Sequence, residues 1–210
     1  MTRQGGKGKL LVILLIFWMG MIFFFSAKPA VQSEKMSTSV CLLYTSIDGS
    51  FDWALVPGYI IAQFAGAFVG ACLVYILFKE QFDATPEPVA KLGAFSTSPS
   101  VPNLPLNILS EAIGTFVLVF AIKGIANVDG IAGGLDKFLV FGIIVSVGMS
   151  LGGLTGYAIN PARDIGPRLA HAILPIKGKG SSNWGYAIVP LVGPIIGAIV
   201  AVLLYGAIPW

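Results

Sequence analysis

The chain has 210 residues, 56% of them hydrophobic and only 11% charged, with a net charge of +3 and a mean hydropathy of +0.85. A soluble domain carries about 25% charged residues, so an ordinary soluble fold is excluded and a polytopic membrane protein is indicated. The positive charges are dispersed and form no basic stripe, which excludes a nucleic-acid partner. The two cysteines, Cys41 and Cys72, show neither metal-ligand spacing nor a disulfide framework. Cys72 reads as a small packing residue within an apolar span. His171 is the only histidine, and packing on a helix surface is the role expected of it. No nucleophile–base pair, phosphate-binding glycine loop or carboxylate pair is in view. No catalytic residue, metal site or cofactor is therefore expected, and the chain does not read as an enzyme.

Residues 1–9 are polar and basic (Arg3, Lys7, Lys9), and residues 10–25 are an unbroken apolar run ended by Ser26-Ala27-Lys28-Pro29. Such a run is either a secretory signal or a short span. The absence of a clean small-x-small cleavage site and the aromatic density (Phe17, Trp18, Phe23, Phe24, Phe25) favour a retained span with its N-terminus in the cytoplasm. Residues 18–30, with Gln32-Ser33-Glu34-Lys35, resemble the start of VanZ-like membrane proteins. Residues 27–52 are polar and hold no span. Within them Ser39-Val40-Cys41-Leu42-Leu43-Tyr44-Thr45-Ser46 resembles translated sequencing-adapter read-through, with a short loop strand as the alternative. A chimeric join is expected here. The division is then 1–50, an N-terminal span and polar linker, and 51–210, a domain of different kind.

Residues 53–75 form the next apolar segment. Gly66 and Gly70 give it a small-xxx-small face that lets helix backbones approach in lipid, and Gln63 needs a hydrogen-bond partner on a neighbouring loop or helix. A polar, proline-rich connector follows over 79–105 (Pro86, Pro88, Pro99, Pro102, Pro105). The span over 106–126 carries Glu111 near its start. A carboxylate at that depth is costly and is a functional candidate by default; a glutamate wetted at the interface is the alternative. A further span covers 138–151, and the last covers 184–207, with glycine spacing at Gly193 and Gly197.

Between these last two lies a stretch dense in glycine, proline and polar side chains, from Leu151 to Arg168. Asn160 followed by Pro161 reads as a helix start, because asparagine accepts from free backbone amides and proline at the first position loses no bond. A helix over 161–169 is too short for a bilayer core, which takes roughly 20 residues. Irregular backbone entering a short helix between two spans implies a re-entrant loop, tolerated only inside protein or along a wet cavity. A capped helix in an external loop, with Arg163 paired to Asp164, is the alternative.

Asn160-Pro161-Ala162-Arg163-Asp164-Ile165-Gly166-Pro167 resembles the second signature loop of the major intrinsic proteins, the aquaporins and glycerol facilitators, and is most similar to the glycerol-facilitator branch. Residues 53–75 resemble the family's third helix, 93–97 its long outer loop, and Pro190-Leu191 a non-aromatic pair of glycerol-type members. The resemblance implies an all-α aquaporin-like bundle and a passive channel for glycerol, small neutral polyols and water in a multi-pass cell membrane location, the plasma membrane of a bacterium. It implies that Asn160 offers its amide to the permeant and that Arg163 lines the filter. Pro161 and Ala162 complete the motif, and the carbonyls of Gly156, Tyr157 and Ala158 are acceptors. Tyr157 aligns with the aromatic that faces the solute's alkyl side. Gly148 aligns with a filter position where water-selective members carry histidine, so a wider throat is expected. Glu111 matches the buried glutamate that holds the loop through backbone amides, Asp164 and Gln63 are supporting residues, and Asp164 with Arg168 fits the glycerol-type pattern after Asn160-Pro161-Ala162. Partners are the solute, the lipid bilayer and, as is usual for the family, three further copies in a homotetramer.

The resemblance covers about 51–207, without the first two family helices or the first half-helix. The bundle is thus expected to be incomplete: one N-terminal span, four family spans and one re-entrant half-helix. A single preceding span also gives residue 51 the wrong side of the membrane. By itself, the chain is expected to form no normal pore. Two competing readings are a water-selective aquaporin, against which Gly148 and Asp164 argue, and a non-transporting VanZ-like protein, for which only residues 10–38 speak.

Overall fold

Among the described residues, four segments are long and apolar enough to cross a membrane: Val56–Leu77, Leu104–Ala126, Leu135–Thr155 and Trp184–Ala207. The computed structural model describes residues 45–47, 49, 51–128 and 134–209, which are helices and loops without strands. The N-terminal apolar run, its VanZ-like resemblance and nearly all of the adapter-like stretch lie outside these residues. Residues 45–47 are helical rather than extended.

Helix α1 (Val56–Leu77) begins with proline in its first turn. The connector is not purely irregular: it forms two short helices, α2 (Lys79–Ala84) and α3 (Pro88–Gly93). Each follows the local rules. Lys79 pairs with Asp83 one turn on along α2, and Pro88 opens α3 where its missing N–H costs nothing. Helix α4 (Leu104–Ala126) starts two residues before the expected 106, because Asn103 caps it by accepting from the Leu106 amide at 3.2 Å. Asn107 reciprocates by accepting from the Asn103 amide at 3.0 Å.

Helix α5 (Leu135–Thr155) runs beyond the expected end at 151. The Gly152-Gly153 pair does not break it, since no water competes for its backbone bonds in lipid. It ends at Gly156, whose φ of +84° makes a left-handed cap and whose amide donates to the Gly152 carbonyl at 2.9 Å. Helix α6 (Pro161–Ile173) has 13 residues, about 20 Å at 1.5 Å per residue, short of a hydrocarbon core of about 30 Å. It too exceeds its expected end, at 169, stopping only where Leu174 turns extended ahead of Pro175. A single 3₁₀ turn (Trp184–Tyr186) then leads into α7 (Ile188–Ala207).

Helix α4 is central, packing on α7 along one side and α5 along another, while α6 packs on α1 and touches α7. Glycines set these distances as expected at Gly193 and Gly197. A Cβ at Gly193 would stand 2.6 Å from the Glu111 Cβ, and one at Gly197 would collide with the Ala112 carbonyl. In lipid, helix association rests on such close van der Waals contact rather than on expulsion of water. On α1 the expectation shifts. Among the described residues nothing lies within 4 Å of a Cβ at Gly70; the close approach is made by Gly166 of α6, which lies against Ala67 and the Phe64 carbonyl. Three apolar clusters fill the gaps: Val119, Ala198 and Ala201 between α4 and α7; Leu118, Val147 and Ile159 between α4, α5 and the loop before α6; and Tyr75, Phe82, Phe95 and Ala170 around α6.

Gly197→Ala is expected to destabilise the protein by about 1–3 kcal/mol, because the new methyl meets backbone and cannot be accommodated by a rotamer change. Gly142→Ala on α5, where nothing described lies within 4 Å, should leave the melting temperature in detergent unchanged or raised. Equal shifts for the two would contradict this account of the α4–α7 contact.

Candidate functional site

The site is a short irregular stretch of loop, residues 156–160, a single strand of backbone outside any sheet, between the end of α5 and the start of α6. Its backbone alternates in hand: Gly156, Tyr157 and Ile159 have φ of +84°, +39° and +43°. The last two are unusual for side chains with a Cβ, and such strain persists only where the surroundings impose it. What imposes it is Glu111. Its Oε1 accepts from the Thr155 hydroxyl at 2.6 Å and the Ala158 amide at 2.9 Å, and its Oε2 accepts from the Ile159 amide at 2.8 Å. With three donors on two oxygens and 1% exposure, Glu111 is a buried carboxylate and not an interfacial one. In a trans peptide the N–H and C=O point in opposite directions. Fixing the amides of Ala158 and Ile159 on Glu111 therefore turns the carbonyls of Tyr157 and Ala158 away from it, as two acceptors on the strand's other side.

The helix start is as the sequence indicates. Asn160, with φ of −157°, accepts from the Ala162 amide at 3.0 Å through Oδ1, and Pro161 follows at the first helical position. With Oδ1 engaged by the helix, the NH₂ is the part of that amide left to serve as a donor. Pro161 and Ala162 are buried. Arg163 is exposed, with its guanidinium 5.7 Å from the centre of the Tyr157 ring. The Tyr157 ring in turn lies against α5, with Cε2 and Cζ 3.2 Å from where a Cβ on Gly148 would be. The room left by the glycine at 148 is thus occupied by an aromatic ring rather than by open throat. Gln63 lies half-buried on α1.

A second buried charge supports the strand from the far side. Asp164 does not pair with its neighbour Arg163. It pairs with Arg168, which donates from Nε to Oδ1 at 2.8 Å and from Nη2 to Oδ2 at 3.0 Å, both side chains being fully buried. Residues four apart share a helix face and adjacent residues do not. The Asp164 carboxylate also accepts from the Thr97 amide at 2.7 Å and its hydroxyl at 2.5 Å. Arg168 donates to the carbonyls of Thr97, Ser182 and Asn183 at 2.8, 2.8 and 3.0 Å. A buried ion pair is tolerable only when its remaining donors and acceptors are met, as here. The pair pins two loops onto α6, and it presses the Thr97 side chain to 3.1 Å from where Gly156 would carry a Cβ.

His171 packs on α6 and is fully buried there, with Nδ1 2.9 Å from the Ser182 hydroxyl and its ring edge-on to Phe95 at 5.4 Å. Lys179 caps the end of α6, donating to the carbonyls of His171, Ala172 and Leu174 at 2.8, 2.7 and 2.7 Å. Thr97, Thr155, Ser182 and Lys179 were not singled out by the sequence. The i, i+4 spacing of Asp164 and Arg168, which places them on one helix face, is the signal in the sequence that could have pointed toward this network.

Glu111→Gln replaces an acceptor by a donor facing backbone N–H groups. Since a hydrogen bond to a charged acceptor is worth about 1.5–3 kcal/mol, exchange of the Ala158 and Ile159 amides should quicken roughly tenfold or more. The Gly156 amide, bonded within α5, serves as the internal control in a hydrogen-exchange measurement. Unchanged exchange at 158 and 159 would contradict the assigned role.

Comparison with known proteins adds a family to this geometry. The family described as Major intrinsic protein matches residues 15–205, starting upstream of residue 51. The chain is 54% identical over 159 residues to the glycerol uptake facilitator protein of Bacillus subtilis, which covers 76% of this chain and 58% of that protein. It therefore spans little more than half the length of that relative. Identity to the glycerol uptake facilitator protein of a Streptococcus pneumoniae strain (serotype 4) is 46% over 177 residues, 84% of this chain and 73% of the relative. Among solved structures, the aquaglyceroporin from Plasmodium falciparum superposes with a TM-score of 0.72 at 31% identity, covering 81% of this chain and 71% of that one.

Proposed function

Since the chain belongs to the major intrinsic protein family, an all-α family of multi-pass membrane proteins, we propose that it acts as a passive channel for glycerol, other small neutral polyols and water. The observation that carries this reading is the strand at 156–160, whose Tyr157 and Ala158 carbonyls are turned outward by Glu111 directly ahead of a half-helix.

The N-terminus of α6 bears roughly half a positive elementary charge from its aligned peptides. At the centre of a membrane that field repels protons and cations, as half-helix ends do in aquaporin-type pores. Asn160 donates from its free NH₂ to a passing hydroxyl, and the carbonyls of Gly156, Tyr157 and Ala158 accept. Arg163 contributes guanidinium donors and a full charge; among the described residues no carboxylate lies within ion-pair distance of it. A polyol has hydroxyls along one edge and C–H groups along the other. Its hydroxyls exchange water for these fixed donors and acceptors one for one, while its alkyl edge runs along the Tyr157 ring. Little barrier remains and no bond is made or broken, so transport is driven by the gradient alone. Glu111, Asp164 and Gln63 support the lining without touching the solute. Assembly into homotetramers in a bacterial plasma membrane completes the proposal, with relatives named as glycerol uptake facilitators on its side.

Proteoliposomes test it by stopped-flow light scattering, with the Bacillus relative measured in parallel. No normal pore is expected of the chain by itself, so the expected outcome is a residual glycerol flux, above the rate of empty vesicles and without saturation. The rate should fall below that of the relative, because the lining groups identified come from one re-entrant segment. Arg163→Ala should admit protons and small cations. Glycerol permeation no faster than in empty vesicles, while the relative conducts, would overturn the proposal.

A further inference from the structure

The Tyr157 ring rests on two glycines, not one. Gly148 and Gly152 are four apart on α5 and so share one face of the helix. A Cβ at Gly148 would meet ring atoms at 3.2 Å, a contact relieved by a shift of a few tenths of an ångström. At Gly152 the Cβ would meet Cδ1 at 2.8 Å and Cε1 at 3.3 Å, and the ring would have to move. The backbone beneath the ring cannot follow. Tyr157 stands at φ +39°, and the amides on its C-terminal side are held by Glu111. Displacement must therefore be a rotation of the side chain, off α5 and toward Arg163, whose guanidinium covers the ring.

We infer that Gly152 is a positioning residue for the filter: it seats the Tyr157 ring against α5 and thereby sets both the bore of the throat and the station of Arg163. The inference rests on the channel reading for its consequence, and on the geometry alone for the seat. The glycine at 148 makes room that the ring then fills. The glycine at 152 decides how far back the ring lies. Any side chain at 152 pushes an aromatic edge into the path that the solute shares with Arg163, and the largest polyols lose passage first.

Two measurements on the full-length chain separate the seat from its consequence. Hydroxyl-radical footprinting read by mass spectrometry reports the exposure of Tyr157 whether or not the chain conducts. With the ring now 37% exposed, labelling should rise about twofold in Gly152→Ala as the ring leaves its rotamer and frees its covered face, and clearly less in Gly148→Ala. Proteoliposome flux of a three- to six-carbon polyol series should then show the size cut-off of Gly152→Ala shifted to shorter polyols, with water passage retained. In a Tyr157→Ala background, adding Gly152→Ala should leave the cut-off where it was. The inference is overturned by unchanged Tyr157 labelling in folded Gly152→Ala. It is overturned equally by a cut-off shift of the same size without the ring, which would make the effect one of helix α5 itself. Labelling that responds while even the unsubstituted chain passes no polyol would uphold the seat and contradict the channel reading.

Discussion

One carboxylate organises the site. Glu111 sits on α4, the helix that also carries the contacts to α5 and α7, and it grips the Thr155 hydroxyl and two successive amides of the strand before α6. A buried charge is expensive in a membrane protein, and here its cost is offset by three donors and by the shape it forces on the chain. Non-glycine residues at positive φ, outward carbonyls and the placement of the half-helix start all follow from those bonds. The glycine at 193 belongs to the same arrangement, since any side chain there would strike Glu111.

The opposite side of the strand is held by a different device. The Asp164–Arg168 pair satisfies itself and then extends to Thr97, Ser182 and Asn183. The connector before α4 and the loop after α6 are thereby fastened to the half-helix. Polar interactions thus hold the short, irregular parts, where apolar packing offers little in lipid, while small-residue contacts hold the long helices. Lys179 completes the half-helix by closing its last carbonyls. Between the two holds lie the Tyr157 ring and the Arg163 guanidinium, 5.7 Å from the ring centre.

The long spans were legible because uninterrupted apolar length is an unambiguous signal, and the helix start at Asn160 because a cap followed by proline has few other meanings. Glu111 was legible as a carboxylate where none should be. Boundaries were less so: α5 runs through Gly152 and Gly153, since glycine that would fray a helix in water does not do so in lipid. The small-residue face on α1 pointed to Gly66 and Gly70; nothing described lies against Gly70, and the close approach falls on Ala67 from the other helix's Gly166, since spacing reveals a smooth face but not which partner supplies the notch. Thr97 meets Asp164 and Arg168 across a long separation in sequence, Ser182 and Lys179 fold back on α6 from the loop that follows it, and nothing local to them announces it. His171 was read as a packing residue because a lone histidine carries no pattern of chemistry, while the depth of its burial follows only from the packing of Phe95 and Ser182 around α6.

The central claim is that a strand held by Glu111 presents acceptors, and a half-helix presents donors, to one file of solute. A crystal structure of the chain in lipid with glycerol present tests it most directly. The account predicts glycerol hydroxyls within hydrogen-bond distance of the Tyr157 and Ala158 carbonyls, the Asn160 amide and Arg163, with the alkyl edge against the Tyr157 ring. Glycerol absent from that file, or carbonyls turned back toward α4 with Glu111 bonded elsewhere, would contradict it.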